Sequence, residues 1–199
     1  MSWTEVAGFV SGAVCVWLVV RRNIWNFPVG IANNVLFVVL FVGAGLYGDA
    51  ALQVVYLLLG ALGWYWWLRG GPRHEPLAVR PTPAWGWPAA VALTAAGTAV
   101  IWILLTRHTD SDVAIWDALT TSLSLVAQLM LNRKWVGSWV LWIVADLIYV
   151  PLYLHKDLAL TAVLYLGFLG LATLGLVQWR RVAADATSPH EPVPVGAQA

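Results

Sequence analysis

The chain has 199 residues, of which 60% are hydrophobic and only 11% charged, and its mean hydropathy is +0.74. A soluble domain carries about a quarter charged residues, so lipid is the solvent for most of this chain. A net charge of +1 gives no electrostatic case for nucleic-acid or acidic partners, and the single cysteine, Cys15, excludes an intramolecular disulfide.

An apolar run of about 20 residues crosses a bilayer as a helix, because every backbone polar group is then satisfied internally. Seven such runs are predicted. The first covers 4–20. The N-terminal stretch MSWTEVAGF has no basic leader and no small-residue cleavage site, so a retained helix is expected. Cys15 within it reads as a small packing residue. The second covers 25–43, with Pro28 loosening its start, and the third 50–68. GGPRHEPLAVRPTPAWGWP (70–88) follows as a Pro/Gly-rich loop. The remaining spans are 86–106, 112–131, 135–154 (with Pro151 near its end) and 157–179. The tail from 182 to 199 has the composition of a disordered segment. The histidines are scattered over loops and tail, so no metal site is expected.

Basic residues set the orientation. Arg21, Arg22, Arg69, Arg73, Arg80, Arg133, Lys134, Arg180 and Arg181 follow odd-numbered spans, whereas only Arg107 and Lys156 fall on the other side. The positive-inside rule then predicts an outside N-terminus and a cytoplasmic C-terminus.

The two ends of the chain resemble each other. RRNIW (21–25) matches LNRKW (131–135), and LYGDAALQVVY (46–56) matches LHKDLALTAVLY (154–165), with Asp49 and Asp157 reading as helix N-caps. The fold class expected is therefore all-α and integral to the membrane: a first triplet (4–68), a linker helix (86–106) and a second triplet (112–179). These form one transporter domain over 1–181. One linker helix returns the chain to its starting side, so the triplets repeat in parallel. Internal repeats of this kind place a substrate site between them near the midplane.

Three spans carry polar or aromatic stripes. At 100° per residue, Trp135, Trp139, Trp142, Asp146, Tyr149 and Tyr153 share an arc of about 80°. Asp117, Thr121, Ser124, Gln128 and Asn132 share a similar arc of about 80°. Gln53, Tyr56, Gly60, Gly63, Trp64 and Trp67 share about 100°. Lipid rewards none of these, so they are expected to face a common polar cavity. Trp64, Trp67 and Trp135 lie near span ends and also fit an interfacial tryptophan belt. Asn33 and Asn34 are polar as well, but neighbours 100° apart cannot both share one face.

Asp146 lies roughly 16 Å into its span, where an aspartate costs about 3 kcal/mol. No lysine or arginine lies at mid-depth to meet it. Three roles are open: a protonated packing acid, a proton carrier, or a group facing a cationic or hydroxyl-rich substrate. Trp139 and Trp142 beside it favour a flat, aromatic, positively charged ligand.

WNFPVGI (25–31), LYGDAALQVVY (46–56), GWYWW (63–67), SLSLVAQ (122–128) and WVLWIVADLIY (139–149) resemble the PnuC-type nicotinamide riboside transporters over residues 5–181. The resemblance implies a SWEET-like arrangement of three, one and three helices, a homotrimer, and no cofactor. It also implies facilitated diffusion of nicotinamide riboside across the cytoplasmic membrane, with trapping by phosphorylation inside. Carried onto matching positions, it implies substrate contacts at Gln53, Tyr56, Gln128, Trp139, Trp142, Asp146 and Tyr149, and also at Asn33 and Asn132. An acidic–amide pair precedes the first tryptophan of span six in that family; here those positions are Gly137 and Ser138. Thiamine and riboflavin, also flat vitamins, are the alternative substrates, and proton coupling through Asp146 is an alternative mechanism. A retinal receptor is disfavoured because Lys134 and Lys156 both lie at span ends, while a ligand-sensing receptor without transport stays open. An enzyme is not expected, since no Ser-His-Asp set or phosphate-binding glycine loop is present.

Overall fold

In the computed structural model, which describes residues 3–43, 45, 47–109, 113–157 and 159–187, the apolar runs become seven α-helices. These are α1 (Trp3–Val20), α2 (Asn26–Gly43), α3 (Tyr47–Arg69), α4 (Gly86–His108), α5 (Ala114–Asn132), α6 (Ser138–His155) and α7 (Ala159–Thr187). Six of them are long and apolar enough to cross a membrane among the described residues; of α1, Val10–Val20 qualifies as a shorter apolar helix. The helix α7 runs on to Thr187, so 182–187, expected in the disordered tail, are helical. Residues 188–199 lie outside the described residues.

The packing is unchanged when the two triplets are exchanged. Within the first, α1 packs on α2 and α2 on α3; within the second, α5 packs on α6 and α6 on α7. The cross-contacts are α1 with α7 and α3 with α5, which swap into one another. The linker α4 packs on α5. The chain turns repeat too. Arg22 and Lys134 have positive φ, as do Gly45 and Asp157, each pair displaced by 112 residues (22 to 134, 45 to 157). Arg22 and Lys134 end their helices by the same pair of backbone bonds, Arg22 N to Val19 O and Asn23 N to Leu18 O, Lys134 N to Leu131 O and Trp135 N to Met130 O. This is the Schellman arrangement, with basic residues in place of the usual glycine.

That displacement corrects the pairing expected from sequence. Asp157 corresponds to Gly45, not Asp49, and Arg21–Arg22 correspond to Arg133–Lys134. Neither aspartate is an N-cap: Asp49 lies within the first turn of α3, and Asp157 is a left-handed turn residue.

An aromatic cluster ties the triplets together at one end. Phe27 meets Trp67 edge-on at 5.0 Å and 88°, Trp139 meets Trp179 at 5.4 Å and 88°, and Trp67 meets Trp179 at 6.0 Å. Each third-helix tryptophan donates its indole N–H across to the other triplet, Trp67 to Leu131 O and Trp179 to Val20 O, both at 3.3 Å. These contacts bring the C-terminal ends of α1, α3, α5 and α7 together with the N-terminal ends of α2 and α6. The triplets therefore run in parallel. Trp67 and Trp135 are buried here, not belted at an interface, whereas Trp64 is exposed.

The Pro/Gly-rich connection is ordered against this same end. Leu77 N bonds to Trp67 O, and Arg80 pairs in parallel with Trp135 through Arg80 N to Lys134 O and Val136 N to Arg80 O. Lys134 Nζ donates to Leu77 O at 2.6 Å and sits 4.3 Å above the Trp67 ring. Burial and the nearby Arg22 push its ammonium down to about 8.

Candidate functional site

Between the triplets lies a cavity of about 440 Å³, within the range of small-molecule sites. Every helix but the linker contributes to its wall. From α1 come Gly12, Cys15, Val16 and Val19; from α2, Asn26, Phe27, Gly30, Asn33 and Asn34; from α3, Leu52 and Tyr56. From α5 come Thr121, Ser124, Gln128 and Leu131; from α6, Trp139, Trp142, Asp146 and Tyr149; from α7, Tyr165, Phe168 and Ala172. The middle of the α5 and α6 stripes reaches the cavity because i, i+3, i+4 spacing holds those residues on one face, whereas Asp117, Asn132, Trp135 and Tyr153 do not line it, and of the α3 stripe only Tyr56 does.

The cavity lies between two aromatic layers. Phe27 and Trp139 belong to the cluster at the basic end. Toward the other end, Tyr149 stacks on Tyr153 at 5.6 Å and leans on Tyr165 at 4.7 Å, and Tyr165 meets Phe168 edge-on at 5.6 Å. Asp146 stands between them, one turn from Trp142, with 4% of its surface exposed. Among the described residues no side chain forms a hydrogen bond to its carboxylate.

Polar side chains on the facing helices are held by short relays. Asn132, fully buried, donates Nδ2 to Leu59 O at 2.8 Å and accepts from Gln128 Nε2 at 3.0 Å. Gly63 makes room for it: an added Cβ would lie 2.6 Å from Asn132 Cγ and 2.7 Å from Phe27 Cε1. Ser11 Oγ donates to Asn33 Oδ1 at 3.0 Å, joining α1 to α2. Cys15 is more than filler, since it lines the cavity and its Sγ donates to Asn26 O at 3.3 Å. No group of His, Cys, Asp and Glu among the described residues could hold a metal ion.

Of the predicted contact residues, Asn33, Tyr56, Gln128, Trp139, Trp142, Asp146 and Tyr149 line the cavity; Gln53 and Asn132 do not. On α3 the lining face is set by Leu52 and Tyr56, one turn apart, and Gln53 is turned about 100° from Leu52. Asn132 acts behind Gln128. Asn33 and Asn34 both reach the wall, because α2 presents a face wide enough to include neighbours. Asn26, Tyr165 and Phe168 were missed. Tyr165 and Phe168 occupy the repeat positions of Gln53 and Tyr56, a signal that only the correct displacement exposes.

Gly137 and Ser138 lie outside this cavity. Gly137 N donates to Thr82 Oγ1 at 2.8 Å, and an added Cβ would lie 2.9 Å from Trp87. A larger residue at 137 would push against the start of α4.

Comparison with known proteins gives consistent matches. A model of the nicotinamide mononucleotide transporter family matches residues 2–181. The nicotinamide riboside transporter PnuC of Escherichia coli (strain K12) is 28% identical over 214 residues, covering 94% of this chain and 89% of that protein. The riboflavin/roseoflavin transporter RibM of Streptomyces davaonensis is 27% identical over 180 residues, covering 89% and 84%. The crystal structure of the vitamin B3 transporter PnuC shares the fold, with a TM-score of 0.72 at 24% identity over 92% of this chain and 83% of that one.

Proposed function

We propose that this chain, which belongs to the nicotinamide mononucleotide transporter family, carries nicotinamide riboside by facilitated diffusion. The family makes it a multi-pass membrane transporter for a vitamin-type substrate, and not an enzyme. The choice of nicotinamide riboside rests on the wall around Asp146. A carboxylate with no hydrogen-bond donor from the described residues, one turn from the Trp142 indole, suits a flat cation bearing hydroxyls. A neutral pyridine would leave that carboxylate unpaired in a low-dielectric wall.

Net uptake is driven by phosphorylation inside the cell. Access alternates as one triplet rocks on the other about the cavity. The gathering of Arg21, Arg22, Arg69, Arg73, Arg80, Arg133, Lys134, Arg180 and Arg181 at one end supports a cytoplasmic assignment for that end. Residues 1–181 form the transporter domain, and the family resemblance supports a homotrimer, testable by native mass in detergent.

A second reading is favoured by one observation, the similarity to the riboflavin/roseoflavin transporter RibM. Counterflow in proteoliposomes separates the two. Vesicles are preloaded with unlabelled nicotinamide riboside, riboflavin or thiamine and given the labelled counterpart outside, without an ion gradient. Accumulation with nicotinamide riboside alone is expected. Accumulation only with riboflavin or thiamine overturns the substrate, and accumulation only with an imposed proton gradient overturns uniport.

A further inference from the structure

The relay behind Gln128 fixes how its amide is turned beside the cavity. A backbone carbonyl has lone pairs and no proton, so Leu59 O can only accept. Asn132 must therefore turn Nδ2 toward Leu59, at 2.8 Å, and Oδ1 toward Gln128. Oδ1 can only accept, so Gln128 must present Nε2 to it, at 3.0 Å. One N–H of the Gln128 amide is thus taken by Asn132, which fixes how the amide is turned and leaves its Oε1 without a protein donor beside the cavity that Gln128 lines. Neither amide can flip without losing bonds, because Asn132 is fully buried and Gly63 holds it from behind.

We infer that Gln128 Oε1 is an obligate acceptor for an N–H donor on the substrate, and that Asn132 is the residue that positions it. The ligand group read there is a primary carboxamide, not a carboxylate. A carboxylate would bring an acceptor against an acceptor, in a wall that already carries Asp146. The inference rests on the nicotinamide riboside reading and adds a selection rule to it: the amide form of the pyridine nucleoside enters and the acid form is rejected.

The test is binding to the full-length protein purified in detergent, with three probes. These are nicotinamide riboside, the analogue with acetyl in place of the carboxamide, and nicotinate riboside. The acetyl analogue keeps the ring, the charge and the carbonyl but lacks the N–H. Loss of one buried donor–acceptor pair predicts binding about 10–100-fold weaker, and a still larger loss for the acid form. In Asn132→Leu, Gln128 is free to rotate. The gap between amide and acetyl probes should then close to within about threefold, by the loss of that same positioning bond. A merely structural role for Asn132 would weaken both probes alike and keep the gap. Equal binding of amide and acetyl probes by the unaltered protein overturns the inference without any variant. If riboflavin binds and nicotinamide riboside does not, the substrate reading fails. The acceptor assignment is then tested by riboflavin against N3-methylriboflavin, where equal binding overturns it.

Discussion

Gly63→Ala puts a methyl group of α3 against Asn132 of α5 and Phe27 of α2. Its Cβ would lie 2.6 Å from Asn132 Cγ and 2.7 Å from Phe27 Cε1, where carbon atoms favour about 3.5–4.0 Å. Neither neighbour has room to yield. Asn132 is bonded to both Leu59 and Gln128, and Phe27 is 3% exposed and edge-packed on Trp67. The helices must part by about 1 Å, or the amide must leave its partners. Overpacking costs about 1–3 kcal/mol. A displaced, unsatisfied amide costs about 1–3 kcal/mol more, and alanine's better helix propensity returns at most about 1 kcal/mol. The net expectation is a destabilisation of about 3 kcal/mol, from these same terms. Gly60→Ala, on the same helix, is the control: its nearest neighbour is Ile31 Cγ1 at 3.4 Å, an ordinary contact, so only the propensity gain of at most about 1 kcal/mol is expected. Thermal unfolding in one detergent at fixed protein concentration reads both. Equal melting of the two variants would refute the close-approach reasoning.

Three further outcomes are expected. Trp142→Ala and Asp146→Asn should each abolish counterflow while the protein still inserts and melts cooperatively; normal transport by both would remove this wall from the site. Trp67→Phe and Trp179→Phe should lower stability by similar amounts, about 1 kcal/mol for each lost indole bond, and a large disparity in melting temperature would contradict the two-fold arrangement. Lys134, pushed down to about 8 from an ordinary 10.5, holds its proton less firmly when folded than when unfolded. The unfolded chain then binds more protons between those values, so stability should rise with pH across that window. Lys134→Gln should flatten that rise in melting curves taken from pH 7 to pH 10.

Span positions were legible because lipid imposes a single requirement, about 20 apolar residues with internally satisfied backbone, and composition reports it directly. The stripes on α5 and α6 were legible for a related reason: polar atoms are too costly in lipid to be placed without purpose, and helical spacing shows which of them share a face. Tertiary roles were less visible. Trp67 and Trp135 look like interfacial residues in a linear reading, because depth along a helix is encoded in sequence but the direction of burial is not. The repeat was recognised with the wrong displacement, since LYGDA and LHKDL align by their aspartates, while the backbone aligns Gly45 with Asp157. A turn conformation, not a side chain, is what the two halves share there. Gln53 was expected at the cavity from its place in the α3 stripe and from the family resemblance, yet Leu52 lines it instead, and Gly137 marks a close approach to Thr82 and Trp87 that no local pattern announces.

The displacement of 112 that relates the halves also pairs Asn34 with Asp146 and Gly30 with Trp142, and all four line the cavity. The frame is nearly two-fold, but its furnishing is not: one half holds the charge and the large indole where the other has a neutral amide and no side chain. A ligand turned end for end would exchange an anion for an amide and a stacking face for open space. The duplicated scaffold therefore offers two walls of like build but only one seat, and a ligand fits it in one heading across the two halves.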